Sequence, residues 1–193
     1  MATRDDHAQP RGGRSTRGSA GTAAGHARRT WSSDAAPAAT YHDRMSVDVV
    51  TEIDIRRPRS TVASFASNPD NATKWYVNIE TVRWETPRTV VVGSRVAFAA
   101  RFLGRSIAYV YEVREIRPDE RFVMATADGP FPMQTTYTWA DLPGGGTRMT
   151  LRNVGEPSGF GNVAAPILAA AMRRANRKDL ARLKALLELG DVG

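Results

Sequence analysis

The chain has 193 residues, of which 41% are hydrophobic, and it carries a formal net charge of +7 at pH 7. This length is typical of one domain with a tail. The chain contains no cysteine, which excludes disulfides, thiol nucleophiles and thiolate-bound metals. No apolar run approaches the roughly 18–20 residues of a membrane-spanning helix, so we expect no stable membrane insertion and a cytoplasmic location.

The first 44 residues form a segment of distinct composition. They show no hydrophobic periodicity and are dominated by Gly, Ser, Thr, Ala, Pro and Arg. Such a segment cannot bury enough apolar surface to offset the entropy lost on ordering. We therefore predict a disordered leader over 1–44 and a folded domain over 45–193. Because Met45 opens the first strand pattern, the sequence leaves open whether translation starts at Met1 or Met45.

The folded region begins with a strand and two short helices. Residues 46–55 alternate apolar and polar side chains, which is typical of a half-buried strand. Pro58 then starts a short helix, which the segment 68–71 breaks, and a second short helix carries Trp75. Two such short helices differ from the long crossover that joins parallel strands.

About six further strands follow, with no other helix until the end of the chain. Each predicted strand alternates in hydrophobicity and is bounded by turn-forming residues. The spacing of strands and turns indicates an antiparallel meander. The predicted strands cover 79–86, 95–103, 107–116, 121–127, 133–142 and 147–154.

The segment Gly159–Leu189 predicts one long amphipathic helix. Its apolar residues recur at steps of three and four, so they share a face that we expect to include Ile167 and Leu168. Asn162 is the expected N-cap, and Gly190 is the expected stop. Because this helix cannot bury its apolar face alone, we expect the sheet to curve around it. A helix clasped by a curved sheet leaves a cavity between them, which is a preferred kind of ligand site.

Several short motifs accompany this order of elements. They are Asn68-Pro69-Asp70-Asn71 with Lys74-Trp75, Gly129-Pro130-Phe131-Pro132-Met133, Thr135-Thr136-Tyr137-Thr138-Trp139, Gly145-Gly146-Thr147-Arg148-Met149-Thr150-Leu151, and Arg173-Arg174 with Lys178-Asp179-Leu180. With them, residues 46–189 resemble the START/Bet v 1-like helix-grip superfamily. Within it they resemble the bacterial polyketide cyclase/dehydrase-like proteins, often labelled SRPBCC.

The resemblance implies a fold and a kind of site. The fold is an α+β helix-grip: a curved antiparallel sheet of about seven strands around a long C-terminal helix, with two short helices after the first strand. The site is a deep pocket for a hydrophobic or aromatic small molecule. The fold alone does not decide what happens in that pocket.

Three functions stay open at this point. The first is binding of a lipid- or polyketide-like molecule, as a carrier or sensor. The second is a polyketide cyclase or dehydratase, which would fold a reactive chain in the pocket and polarise a carbonyl. The third is a protein-interaction module like the chaperone co-activators of similar fold. Convergent polar groups in the cavity would favour the enzyme, a dry cavity the carrier, and a filled cavity the interaction module.

Candidate site residues come from the inward strand faces and the helix. The histidines, His7, His26 and His42, all precede residue 45, so we predict no metal site and no cofactor in the folded region. Trp75 and Phe131 are expected to flank the cavity mouth, and for Trp75 core packing is an equal alternative. Since phenols and guanidinium groups can polarise a carbonyl, the candidates for catalysis are Tyr109, Tyr111, Tyr137 and Arg152, although the commoner role for each tyrosine is core packing. The predicted register turns Arg152 outward, and a slip of one residue would turn it inward. The predicted ligand-binding set is Trp75, Phe98, Phe102, Tyr109, Tyr111, Phe131, Met133, Tyr137, Ile167, Leu168, Ala171 and Met172.

The C-terminal helix also carries a run of basic residues. Such a run could bind phosphate or an anionic membrane surface. Asp179 and Glu188 interrupt it, however, and no aromatic residues interleave for base stacking. We therefore expect a solvated face and no nucleic-acid partner. The run consists of Arg173, Arg174, Arg177, Lys178, Arg182 and Lys184.

Overall fold

Seven antiparallel strands and one long helix make up most of the domain. The computed structural model describes residues 46–156 and 164–190. The predicted leader, the start of the predicted helix at Gly159 and its expected N-cap Asn162 lie outside the described residues. In chain order the elements are β1 (Val47–Ile55), α1 (Arg59–Ser67), a 3₁₀ turn (Pro69–Asn71), α2 (Ala72–Trp75), β2 (Ile79–Trp84), β3 (Arg95–Phe102), β4 (Arg105–Arg117), β5 (Arg121–Asp128), β6 (Met133–Asp141), β7 (Thr147–Gly155) and α3 (Ala165–Leu189).

Strands β2 to β7 form a meander in chain order, and β1 pairs with β7 to become the edge strand on that side. The strand order of the sheet is β1-β7-β6-β5-β4-β3-β2, and every neighbouring pair is antiparallel. The pairing of β4 with β5 shifts register between Val110 and Tyr111 and again between Val113 and Glu115. Such irregularities bend a strand and increase its twist. The curved seven-stranded sheet around a C-terminal helix confirms the predicted helix-grip fold.

Two apolar clusters hold α3 against the sheet. The larger one surrounds the C-terminal half of the helix, where Leu180, Leu183 and Leu187 are buried together with α1 and the middle of the sheet. The smaller one surrounds Leu168 near the start of the helix. Between these clusters along α3 lie residues 172–179, and this middle stretch is where the helix borders empty space.

The ends of α3 follow ordinary capping chemistry. Pro166 lies in the first turn, where backbone N–H groups have no acceptor within the helix, so proline costs no hydrogen bond there. Gly190 adopts a left-handed conformation (φ 88°) just after the last turn, which confirms it as the stop. The Arg57 guanidinium donates from Nε to the Leu187 carbonyl oxygen at 2.5 Å. This contact ties the helix end to the segment between β1 and α1.

The buried face of α3 differs from the predicted one near its start. Leu168 is fully buried, as expected, but the prediction that Ile167 is buried is wrong, because 63% of Ile167 is exposed. Successive helical residues are about 100° apart around the axis, so two neighbours cannot both point at the centre of the sheet. The face that does so includes Leu168, Met172, Asn176, Leu180, Leu183 and Leu187.

A candidate ligand-binding cavity between sheet and helix

A cavity of about 160 Å³ lies between the curved sheet, the segment around α2 and the middle of α3. One water needs roughly 10–15 Å³ on the same measure, so this space is far larger than a packing defect. Most of the wall is apolar or aromatic, with polar groups interspersed. Its apolar and aromatic residues include Trp75, Phe98, Ala100, Phe102, Ile107, Tyr109, Tyr111, Met124, Phe131, Met133, Tyr137, Met172 and Ala175.

Aromatic rings form a continuous part of this wall. Phe98 of β3 stacks on Tyr109 of β4 with ring centroids 5.5 Å apart, and Tyr109 lies 4.9 Å from Tyr111. On another part of the wall, Trp75 stacks on Tyr76 at 3.8 Å. Trp75 is fully buried, so of its two expected roles the structure excludes the one at the cavity mouth and supports core packing. It forms part of the inner wall because it sits in the last turn of α2, packed against the core.

A chain of hydrogen bonds crosses the cavity floor from the sheet to the helix. The hydroxyls of Tyr111 and Thr135 lie 3.1 Å apart. Asn153 donates from Nδ2 to Thr135 Oγ1 at 2.9 Å, and Asn176 donates from Nδ2 to Asn153 Oδ1 at 2.8 Å. The chain therefore links β4, β6, β7 and α3. Each bond satisfies a polar group that would otherwise be costly to bury.

A second polar contact joins two phenols. The hydroxyl oxygens of Tyr76 and Tyr137 lie 2.5 Å apart, and Tyr137 is almost fully buried. Burial raises the pKa of Tyr137 and also raises the pKa of Tyr111 to about 12. Both phenols therefore stay protonated at neutral pH and act as neutral hydrogen-bonding groups.

Tyr109 differs from the other phenols in the cavity because its hydroxyl makes no hydrogen bond to any residue in the described ranges. Burial raises its pKa well above the ordinary value, and the nearby Tyr111, Tyr137 and Asp179 add to that effect. A buried phenol usually has a hydrogen-bond partner. The Tyr109 O–H is therefore a donor that a bound molecule can use.

Asp179 brings a carboxyl group into the cavity wall. Only 3% of the residue is exposed, and its Oδ1 accepts a hydrogen bond from the Val77 backbone N–H at 2.8 Å. Burial raises its pKa to about 6, while the Val77 N–H, Arg182 and Lys178 act in the opposite direction. Among the described residues it is the one acidic or basic side chain that lines the cavity. The expectation that Asp179 merely interrupts a solvated basic face is wrong, because its side chain points inward.

Three residues of the predicted ligand-binding set lie away from the cavity wall. Ile167 is exposed, Leu168 is buried in the small cluster beside the cavity, and Ala171 is half-buried on α3 without bordering the space. These three are corrections to the predicted set. The residues of that set that do line the cavity are Trp75, Phe98, Phe102, Tyr109, Tyr111, Phe131, Met133, Tyr137 and Met172.

Arg152 does not face the cavity either. It lies on the outer face of the sheet, where its guanidinium pairs with Asp48 through Nη2 and Oδ2 at 2.6 Å. Both side chains are about half exposed, and the hydrogen bond from Arg152 lowers the pKa of Asp48. The alternation of β7 turns Arg152 outward while it turns Leu151 into the core. It cannot polarise a ligand inside the cavity, so the structure removes it from the catalytic candidates.

The polar cavity residues that were absent from the predicted set include Tyr76, Thr135, Asn153, Asn176 and Asp179. For the last two a signal exists in the sequence. Asn176 lies four residues after Met172, and Asp179 lies four residues before Leu183, so both fall on the apolar face of the helix. Polar residues on such a face indicate either a hydrogen-bonded core site or a site facing a cavity. The partnership of Asn176 with Asn153 depends on the fold and has no local signal.

The described part of the chain contains neither a metal-binding cluster nor a membrane-spanning helix. Within residues 46–156 and 164–190, no group of three or more His, Asp or Glu side chains is arranged to hold a metal ion. The helices in those ranges are also too short or too polar to cross a membrane.

Residues 46–188 match the model of a family described as polyketide cyclase/dehydrase and lipid transport. The chain belongs to this family. By sequence, a comparison with curated proteins gives no match.

Solved structures share the fold at low sequence identity. A protein from Thermus thermophilus is 19% identical, with a TM-score of 0.65 over 76% of this chain and 100% of that one. A START superfamily protein from Mycobacterium smegmatis is 14% identical, with a TM-score of 0.62 over 74% and 97% of the two chains. The Zhui aromatase/cyclase from a Streptomyces species is 13% identical, with a TM-score of 0.60 over 72% and 92%. At these identities the likeness concerns the fold alone.

Proposed function

We propose that this domain binds a hydrophobic small molecule in the cavity between sheet and helix, as a carrier or sensor. The observation that carries the proposal is the cavity itself, about 160 Å³ walled largely by apolar and aromatic side chains. A large apolar pocket with a few convergent polar groups is the usual form of a small-molecule site. The family's description includes lipid transport, which is consistent with this role.

The wall composition also suggests the shape of the ligand. Stacked rings such as Phe98 and Tyr109 favour a flat or aromatic body. The Tyr109 hydroxyl, which has no hydrogen-bond partner within 46–156 and 164–190, and the hydrogen-bonded residues Asn153 and Asn176 favour at least one oxygen or nitrogen on that body. Burial of about 200 Å² of ligand surface would contribute roughly 5 kcal/mol before ordering costs. A preformed cavity keeps those costs small, so this term alone corresponds to a Kd of about 0.1–1 mM.

A titration with a neutral apolar fluorophore tests this proposal. N-phenylnaphthylamine should bind the full-length protein saturably, and Ala175→Phe should weaken binding at least about tenfold, because Ala175 lines the cavity and a phenyl ring would occupy it. Ala170→Phe is the matched control, since Ala170 is exposed on the same helix. Equal binding by all three proteins would place the site elsewhere. Absence of binding would contradict the proposal.

A second candidate function is that of a polyketide cyclase or dehydratase. The observation that favours it is the Tyr109 hydroxyl, a protonated donor without a hydrogen-bond partner in the described ranges, set in a cavity wall. Such a donor can polarise a ligand carbonyl while the wall holds the chain folded. The family's description also includes polyketide cyclase/dehydrase, which is consistent with the same function. Turnover of a synthetic poly-β-keto thioester that Tyr109→Phe abolishes would establish this function, and turnover equal in both proteins would exclude Tyr109 from it.

The interaction-module alternative receives no support from the cavity. A module of that kind was expected to have a filled interior, whereas the space under α3 is open. We therefore place the partner of this domain among small molecules. The exposed basic residues Arg174, Arg177 and Arg182 are interpreted as a solvated helix face, and we propose no nucleic-acid partner.

A further inference from the structure

Asp179 is the feature of the cavity that hydrophobic binding alone does not explain. An ionised carboxylate in an apolar wall destabilises the fold unless something compensates for the lost water. Asparagine at this position could still accept the Val77 N–H, so that hydrogen bond does not require a charge. The charge therefore calls for a different explanation.

The surroundings leave one side of this carboxylate unmatched. Oδ1 takes the Val77 N–H, while Oδ2 makes no hydrogen bond or ion pair with any residue in 46–156 or 164–190. Lys178 and Arg182 act on it from the same helix, but both are exposed and neither lines the cavity. The cavity wall at Asp179 therefore contains a negatively charged hydrogen-bond acceptor, and no cation within those ranges faces it.

We propose that the ligand of this cavity is a hydrophobic amine, whose protonated nitrogen pairs with Asp179 while its apolar body lies among the aromatic rings. This inference rests on the proposed binding function and narrows its ligand class. An ammonium group donates to Oδ2 and supplies the positive charge that the wall lacks.

The aromatic wall strengthens the choice of a cation. Tyr76, Tyr109 and Tyr137 line the same cavity as Asp179, and the Asp179 charge contributes to the raised pKa of each phenol. Faces of such rings attract a nearby cation through their quadrupole. A ligand with a carboxylate or phosphate group would face the negative charge of Asp179 without a positively charged partner, because no Lys, Arg or His in the described ranges lines the cavity. Acidic lipids are therefore the class that this site rejects.

Three naphthalene derivatives of similar size test the inference by calorimetric titration at pH 7.5. Naphthylethylamine is a cation, naphthylethanol is neutral, and naphthylacetate is an anion. We expect the amine to bind at least about tenfold more tightly than the alcohol, and the alcohol more tightly than the acid. Asp179→Asn should remove most of the advantage of the amine and leave the alcohol unchanged within about twofold. Asp48→Asn is the matched control, because it makes the same substitution on the outer face of the sheet.

A pH series on the unmodified protein supplies a readout that needs no variant. Amine affinity should fall about tenfold between pH 8 and pH 5, as Asp179 takes up a proton, while affinity for the alcohol stays constant. The phenols of Tyr76, Tyr109 and Tyr137, which also line the cavity, stay protonated in this range because burial raises the pKa of each. Lys178 and Arg182 lie on the same helix, exposed and outside the cavity wall.

The outcomes separate this inference from the proposed function. Equal binding of amine, alcohol and acid would overturn the amine preference and leave the binding function standing. Tighter binding of the acid would overturn it as well. Failure of all three ligands, together with failure of N-phenylnaphthylamine, would overturn the binding function itself.

Discussion

The carboxylate of Asp179 accepts a hydrogen bond from the backbone N–H of Val77 at 2.8 Å. This bond joins the middle of α3 to the segment that leaves α2, two parts of the chain 102 residues apart. It also holds the carboxyl group at the cavity wall, where burial raises its pKa to about 6. One residue thus takes part in closing the fold and gives the cavity its charge.

The stability of the domain should depend on pH through this residue. The pKa of Asp179 is about 6 in the folded protein against 3.8 for an ordinary aspartate, so between these values the folded state keeps a proton that the unfolded state releases. The stabilisation of the folded state by this retained proton is therefore fully present below about pH 4 and is lost as pH rises through about 6. The loss is on the order of 3 kcal/mol. Asp179→Asn should accordingly gain stability relative to the unmodified protein as pH rises from 4 to 7.

Urea unfolding of both proteins across that range measures this difference. The comparison with the variant is needed because other carboxyl groups also make stability depend on pH. Their pKa values are lowered, so the stabilisation of the fold that they provide is lost as pH falls. These groups are Asp48, Asp54, Asp70 and Glu188. Subtracting the two curves leaves Asp179 alone. A difference that does not change between pH 4 and pH 7 would contradict the raised pKa.

Two adjacent residues on α3 should differ strongly in their response to the same substitution. Leu168→Asp places an unpaired charge in a fully buried apolar site, and we expect it to lower the free energy of unfolding by at least about 3 kcal/mol. Ile167→Asp changes an exposed side chain in the first turn of the helix, where a negative charge is favourable, so it should stay within about 0.5 kcal/mol. Urea denaturation decides this, and comparable losses in both variants would show that the assigned helix face is wrong.

The Tyr76–Tyr137 contact should behave as a coupled pair. Replacing either residue by phenylalanine leaves the other hydroxyl without its partner, and we expect each change to cost about 1–2 kcal/mol of unfolding free energy. The double replacement should cost little more than one single replacement. A double-mutant cycle in urea should therefore give a coupling energy of about 1 kcal/mol. Strictly additive effects would show that the two hydroxyls do not depend on each other.

The predicted leader can be tested by removing it. Residues 1–44 have no pattern that forms a core, so a chain that begins at Met45 should melt within about 2 °C of the full-length protein. Calorimetry of the two proteins measures this directly. A much larger drop in melting temperature would mean that the leader packs on the domain.

Most of the fold could be predicted because its signals are local. The alternation in β1, the proline and glycine turns between strands, and Gly190 at the end of α3 each act within a few residues. The inward phase of the central strands follows from the same alternation, which is why Phe98, Tyr109 and Tyr137 were placed on the correct face.

The errors concentrate where the helix borders empty space. Hydrophobicity favoured Ile167 and Ala171 as inward residues and Asp179 as an outward one, and all three expectations are wrong. A helix over a filled core is selected for apolar contact, whereas a helix over a cavity can direct polar groups inward if they find partners. Those partners, Val77 for Asp179 and Asn153 for Asn176, come from distant parts of the chain.

Methionine methyl groups give the most direct test of the binding cavity. Met124, Met133 and Met172 line it from three different elements, while Met149 is fully buried outside it. In NMR spectra of protein with labelled methionine methyls, addition of N-phenylnaphthylamine should shift the three lining signals saturably and with one affinity. The Met149 signal should move least. Shifts confined to other methionines, or no saturable shift in the lining three, would contradict the claim that this cavity binds a hydrophobic ligand.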